Sequence, residues 1–190
     1  MNLKRHLRVT ILSLLIVVPA FADTVTINGT MTTGDPTLPV VFITSPDCTG
    51  QGVTPVLYNS YPFTVTADGT YHVEVLSDAG GFASIYLFSP TFDPVNPFPT
   101  CIAGDNSGNP VDVDEALTAG TQYFAVPFDD TFAQVGGAYT LTLSGPGAIL
   151  VEGQEPPLAI PTLSTLGLAT LAALFLAAGL VALRRRSPAA

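Results

Sequence analysis

Between Asp23 and Ile160 the chain contains no lysine and no arginine. All six basic residues lie outside that stretch, as Lys4, Arg5 and Arg8 at one end and Arg184, Arg185 and Arg186 at the other. All 15 aspartates and glutamates lie inside it. A Lys/Arg salt bridge is therefore impossible within the stretch, and so is Schiff-base chemistry on a lysine. Phosphate contacts need cations, so nucleic acid is excluded as an expected partner. The chain has no tryptophan and only two cysteines, Cys48 and Cys101. His72 is the single histidine of the stretch, and there is no Cys-x-x-Cys pair, so a cysteine-based metal site is not expected. Gly-x-Ser-x-Gly, His-Glu-x-x-His and phosphate-binding glycine loops are missing too. No catalytic residue is assigned, and the reading is of a protein that is not an enzyme.

Two apolar runs frame the acidic stretch. Met1 to Ala22 reads as a secretory signal peptide, with Lys4, Arg5 and Arg8 as its positive region and Val9 to Val18 as its apolar region. Ala20-Phe21-Ala22 is a small-x-small cleavage site, which makes Asp23 the expected new N-terminus. A retained N-terminal anchor is the alternative. The second run, from Leu166 to Leu183, carries no charge and a single hydroxyl, Thr170. At about 1.5 Å per residue a helix of that length covers roughly 27 Å, close to the hydrocarbon thickness of a bilayer. Arg184–Arg186 follow at once and favour the cytoplasmic side. Only Ser187 to Ala190 come after them, so no cytoplasmic domain is expected. A buried core helix is the competing reading, but such helices are usually shorter or carry charge.

Ile160-Pro161-Thr162-Leu163-Ser164, the apolar run and Arg184-Arg185-Arg186 together resemble the IPTL-type C-terminal protein-sorting signal of Gram-negative bacteria. That signal is similar to the PEP-type signals handled by exosortases. The family usually has an acidic residue and then Trp-Gly after the serine. Here Thr165-Leu166-Gly167 stands there, keeping Gly167 and lacking the tryptophan. The resemblance covers positions 160–186. It implies passage through the export translocon, a transient inner-membrane intermediate, and recognition by a membrane-embedded sorting peptidase. It also implies cleavage near the motif and delivery to the cell surface or the medium.

The stretch left between the two signals, 23–160, suits one domain with its own core. An even pair of cysteines in an exported chain is most simply a disulfide, Cys48 to Cys101, here in loop-like sequence. The hydrophobic pattern is all-β. Thr24–Asn28, Tyr61–Thr66, Tyr71–Val75 and Tyr139–Ser144 alternate polar with apolar, and Ala83–Phe88 is a more continuous apolar run, as expected of a central strand. Thr121–Val126 follows the turn Thr118-Ala119-Gly120, while Val40–Ile43 and Pro55–Tyr58 are weaker strands. Ala67-Asp68-Gly69-Thr70 reads as a hairpin turn joining its two neighbours. Seven or eight short strands predict a single β-sandwich over 23–147. Its inward face should include Tyr61, Phe63, Val65, Tyr71, Val73, Val75, Tyr139, Leu141 and Leu143. Residues 148–159, with Pro156-Pro157, read as an extended spacer.

Tyr61-Pro-Phe-Thr-Val, Asp68-Gly-Thr-Tyr71, Ile85-Tyr-Leu-Phe88, Asp105-Asn-Ser-Gly108, Leu117-Thr-Ala-Gly-Thr-Gln-Tyr123 and Gly137-Ala-Tyr-Thr-Leu141 occur in that order. The series resembles the bacterial pre-peptidase C-terminal domain and its jelly-roll relatives, over roughly 60–145. That resemblance implies a non-catalytic accessory sandwich concerned with secretion, stability or the binding of carbohydrate or protein.

Calcium prefers six to eight oxygen ligands on a flexible loop. Asp105, Asn106 and Asn109, with Asp112, Asp114 and Glu115 downstream and Gly108 to turn the backbone, are the candidates; no other cofactor is expected. The spacing is not that of an EF-hand. An ordinary polar loop accounts for the same residues, and Asp129-Asp130 either joins the site or forms a hairpin tip. His72 and Glu74, two apart on a strand, share one face, expected to be the outer one. Tyr58, Tyr61, Tyr86, Tyr123, Phe92 and Phe98 are candidates either for the core or for contact with a surface polysaccharide. Asn28-Gly29-Thr30 fits a glycosylation sequon of little weight in a bacterial chain.

Overall fold

A computed structural model describes residues 22–78 and 81–154. They form an all-β, sandwich-like structure with eleven strands and one short 3-10 turn, Phe98–Thr100. One sheet has four strands in the order β1 (Asp23–Met31), β10 (Gly137–Gly145), β5 (Gly69–Ser77), β8 (Val111–Leu117). The other has five, in the order β11 (Ile149–Val151), β4 (Tyr61–Val65), β9 (Gln122–Asp129), β6 (Ala83–Phe88), β7 (Cys101–Asp105). All neighbours are antiparallel.

Alternation explains the main core. Phe63, Val65, Tyr71, Val73, Val75, Tyr139, Leu141 and Leu143 all lie in it, and Tyr61 packs at its margin. The residues expected to face inward therefore do so. A second core lies on the other face of the five-stranded sheet. There a hairpin of β2 (Thr37–Thr44) and β3 (Asp47–Leu57) lays Leu38, Val40, Val41 and Val56 against Tyr86, Phe88, Val126 and Phe128. This third layer is why every residue of β6 is buried. Tyr86 stacks on Phe128 with ring centroids 3.9 Å apart. Its hydroxyl receives the Val41 N–H at 3.0 Å and donates to the Val41 carbonyl at 2.8 Å.

Three expectations change. The segments before and after Asp68-Gly69 are not a hairpin: β4 pairs with β9 and β11, while β5 pairs with β10 and β8. Alternation shows which side of a strand is buried but not its neighbour, and here the chain turns a corner between sheets. Tyr71 pins that corner, donating to the Ala67 carbonyl at 2.9 Å and receiving the Gly147 N–H at 3.1 Å. Cys48 and Cys101 lie on β3 and at the start of β7 rather than in loops, and they form the expected disulfide. The sandwich also runs past residue 147, because β11 pairs Ile149 with Val65 and Val151 with Phe63. So short a strand is too brief to show a period, and the sequence hides it in the expected spacer. Among the described residues no helix is long and apolar enough to cross a membrane. Leu166–Leu183 lies outside them.

Candidate functional site

With no lysine or arginine available, the carboxylates use main-chain N–H groups as partners. Asp105 and Asp129 are the two buried acids, 5 % and 0 % exposed. Asp105 ends β7. Its Oδ1 receives the Ser107 hydroxyl at 2.8 Å and the Ser107 N–H at 3.3 Å, and its Oδ2 receives the Asp112 N–H at 3.3 Å. Asp129 ends β9. Its Oδ1 receives the N–H and hydroxyl of Thr131, and its Oδ2 receives the N–H groups of Val135 and Gly136, both at 3.1 Å. Each carboxylate thus organises the loop that follows it. No buried side-chain oxygen or nitrogen among the described residues lacks a partner.

Asp130 stands between these loops. Burial pushes its carboxyl up from the usual carboxylate range, hydrogen bonds from Ser84 and Asn106 pull it back, and the Asp129 charge adds to the rise. A raised carboxyl binds its proton more readily in the fold than in the unfolded chain. Its stabilising contribution is therefore full below the carboxyl range of the unfolded chain and is lost as pH rises from there through the raised folded value. Asp130→Asn removes the charge. Its Tm relative to the parent is expected to increase from acid to neutral pH; a difference constant with pH would contradict the assignment.

The oxygen-rich residues singled out in the sequence are divided by the fold. Asp105 is occupied as above, and Asn106 faces Asp130. The Asn109 side chain bridges Ser77, accepting its N–H at 2.9 Å and donating to its carbonyl at 3.1 Å. Asp112, Asp114 and Glu115 are not loop residues but lie on β8, opposite Glu74, His72 and Tyr71. The side chains of Asp112 and Asp114 stand exposed on the outer face of the four-stranded sheet beside His72. Its Nδ1 is 2.8 Å from Asp114 Oδ1 and 4.0 Å from Asp112 Oδ2, and its Nε2 is 3.9 Å from Glu74 Oε2. His72 is the only side chain among the described residues able to carry a positive charge, and three carboxylates surround it. No group of three or more His, Cys, Asp or Glu among the described residues is arranged to hold a metal ion.

The tyrosines provide the remaining polar cross-links. The Tyr61 and Tyr139 hydroxyls lie 2.7 Å apart, and Tyr139 donates to Asn59 Oδ1 at 2.6 Å. Asn59 donates in turn to Asp35, which also holds the Thr32 N–H. Burial and the Tyr61 hydrogen bond push the Tyr139 hydroxyl far above its ordinary range, so it stays neutral. Tyr58, Tyr86 and Tyr123 are buried, Phe92 packs against the second core, and Phe98 is the one of the six candidate aromatics at the surface. Ala22 and Asp23 flank the entry to β1, while Ile160–Ser164, Gly167 and Arg184–Arg186 lie outside the described residues.

Taken together, fold and side chains define an acidic, disulfide-linked, all-β sandwich whose buried carboxylates serve its loops. The chain matches no protein-family model and no curated protein.

Proposed function

We propose that the chain is an exported bacterial surface protein, delivered through a C-terminal sorting signal, whose working part is a non-catalytic, jelly-roll-like sandwich serving a structural or binding role. The observation that carries this reading is the linear order of Ile160-Pro161-Thr162-Leu163-Ser164, the uncharged run Leu166–Leu183, and Arg184-Arg185-Arg186. The export translocon starts transfer, the apolar helix stops it in the inner membrane, and the arginines set its orientation. A membrane-embedded sorting peptidase then reads the motif.

Three features of the sandwich support the reading. β1 begins at Asp23, directly after Ala20-Phe21-Ala22, so removal of the leader leaves the sheet complete. The cysteines are paired, which suits an oxidising compartment. The last strand ends at Val151, and residues 152–159 lie in sequence between it and the motif.

Deleting Arg184–Arg186, or replacing Pro161 and Thr162, is expected to keep the sandwich with the cell. Intact mass of the protein recovered from the medium should show a species that starts at Asp23 and ends near Ile160. Undiminished release by both variants would overturn the sorting mechanism.

A further inference from the structure

A peptidase needs its target bond extended and unpaired, so a bond beside a docked strand is cut only when that strand opens. The bond between Ala22 and Asp23, the expected site of leader removal, stands in that position. Ala22 is exposed, but Asp23 is already the first residue of β1. It pairs with Gly145, and the register is unbroken from there to Met31. Its Oδ2 receives the Ile149 N–H of β11 at 3.0 Å, and its Oδ1 receives the Thr24 N–H at 2.9 Å. Val25, Ile27 and Met31 bury the inner side of the strand in the main core. Asp23, the residue just after the bond, is thus held by both sheets.

The order of the strands decides when this happens. β1 is an edge strand, and among the described residues its one strand neighbour is β10. A leader brings the N-terminal side of a chain across first, so β1 is exported before β10, with residues 32–136 between them. Ile149 comes later still. A first strand joined to the second in a hairpin would close as soon as the second had crossed. Here β2 pairs with β3 instead.

We propose that β1 is a timed lock on the leader-removal site. The bond after Ala22 stays open while the chain crosses, and it closes to the leader peptidase when residues 137–151 arrive and the sandwich folds. The peptidase adds water across the bond, leaving a carboxylate on Ala22 and an ammonium on Asp23. That step must precede folding, and a chain that folds first keeps its leader. The inference rests on the reading of residues 1–22 as a leader.

The test uses the full chain with its leader, refolded in detergent micelles with its disulfide formed, and purified leader peptidase. Circular dichroism reports folding, and intact mass reports the loss of residues 1–22. The folded precursor should lose its leader at least about a hundredfold more slowly than the same chain diluted from urea directly into the enzyme, because cleavage waits for a core strand to open. Inserting Ser-Gly-Ser-Gly between Ala22 and Asp23 sets the bond about 13 Å from the sheet and should restore rapid cleavage of the folded chain. Equal rates for the folded and the urea-diluted precursor, or a folded insertion variant that stays uncut, overturn the proposal. So does a precursor that fails to fold with its leader attached, since the block then lies in the leader and not in β1. No cleavage after Ala22 even in the urea-diluted chain overturns the leader reading itself, and the lock with it.

Discussion

Asp129→Ala is expected to lower the unfolding free energy by about 3–5 kcal/mol, measured by denaturant unfolding under non-reducing conditions. Asp129 is fully buried and accepts four hydrogen bonds, three of them from the main-chain N–H groups of Thr131, Val135 and Gly136. A donor left unpaired away from water costs about 1–3 kcal/mol; these donors are only partly buried, so water access to the loop reduces the sum. The loop also holds two non-glycine residues in the left-handed region, Phe132 at φ 58° and Gln134 at φ 54°. Such a conformation costs roughly 1–2 kcal/mol per residue, so it needs the carboxylate to hold it. Asp129→Asn keeps the shape and one acceptor oxygen but turns an NH2 group toward N–H donors. It should therefore lose more than an isosteric change at a surface site. A cost below about 1 kcal/mol for the alanine variant would show that the loop is held by something else.

Loss of the disulfide is the second large effect. In Cys48→Ser/Cys101→Ser the released loop spans a sequence separation of 53 residues. Chain entropy puts the cost near ~4 kcal/mol, at the top of the usual range. Its location gives the expected loss a direction. The bond ties the β2–β3 hairpin to β7, and that hairpin covers the second core. Tyr86 and the apolar contacts around it still bind the hairpin, so it should stay docked but open more often. Hydrogen exchange should therefore accelerate more at Val40, Val41 and Val56 than at Val73 or Leu141 in the main core. Equal acceleration in both places would mean that the hairpin and the sandwich open as one unit.

The fold was partly legible in the sequence. Period-2 alternation placed Tyr71, Val73, Val75, Tyr139, Leu141 and Leu143 on the buried side, and burial bears this out. The mostly apolar run Ala83–Phe88, broken only by Ser84, read as a central strand, and both its faces are covered. Val111–Leu117 was harder to see. Asp112, Asp114 and Glu115 hide the apolar positions Val111, Val113 and Leu117, and an edge strand with an acidic outer face looks like a polar loop. The candidate oxygen cluster failed to converge for the same reason. Asp112 and Asp114 share the outer face of β8 beside His72, whereas Asp105 is buried at the end of β7 in the other sheet, so residues close in sequence part company once the two strands form. Asp129 as a loop organiser had no sequence signal beyond its place before Asp130 and Thr131. Its partners come as main-chain N–H groups, which no residue type announces.

What the sequence by itself determined is local. Composition leaves the sandwich without a lysine or arginine, alternation sets which side chains turn inward, and Cys48 and Cys101 had no other partners among the cysteines. Only the tertiary structure decided which strands are neighbours. Alternation is identical for a hairpin and for a corner between sheets, so Asp68-Gly69 could not reveal that β4 and β5 separate. The choice rests on contacts between residues far apart in the chain: Tyr71 with Gly147, Tyr86 with Val41, and Ile149 with Val65. Those contacts depend on how side-chain volumes fill two cores at once, which no short window of sequence contains.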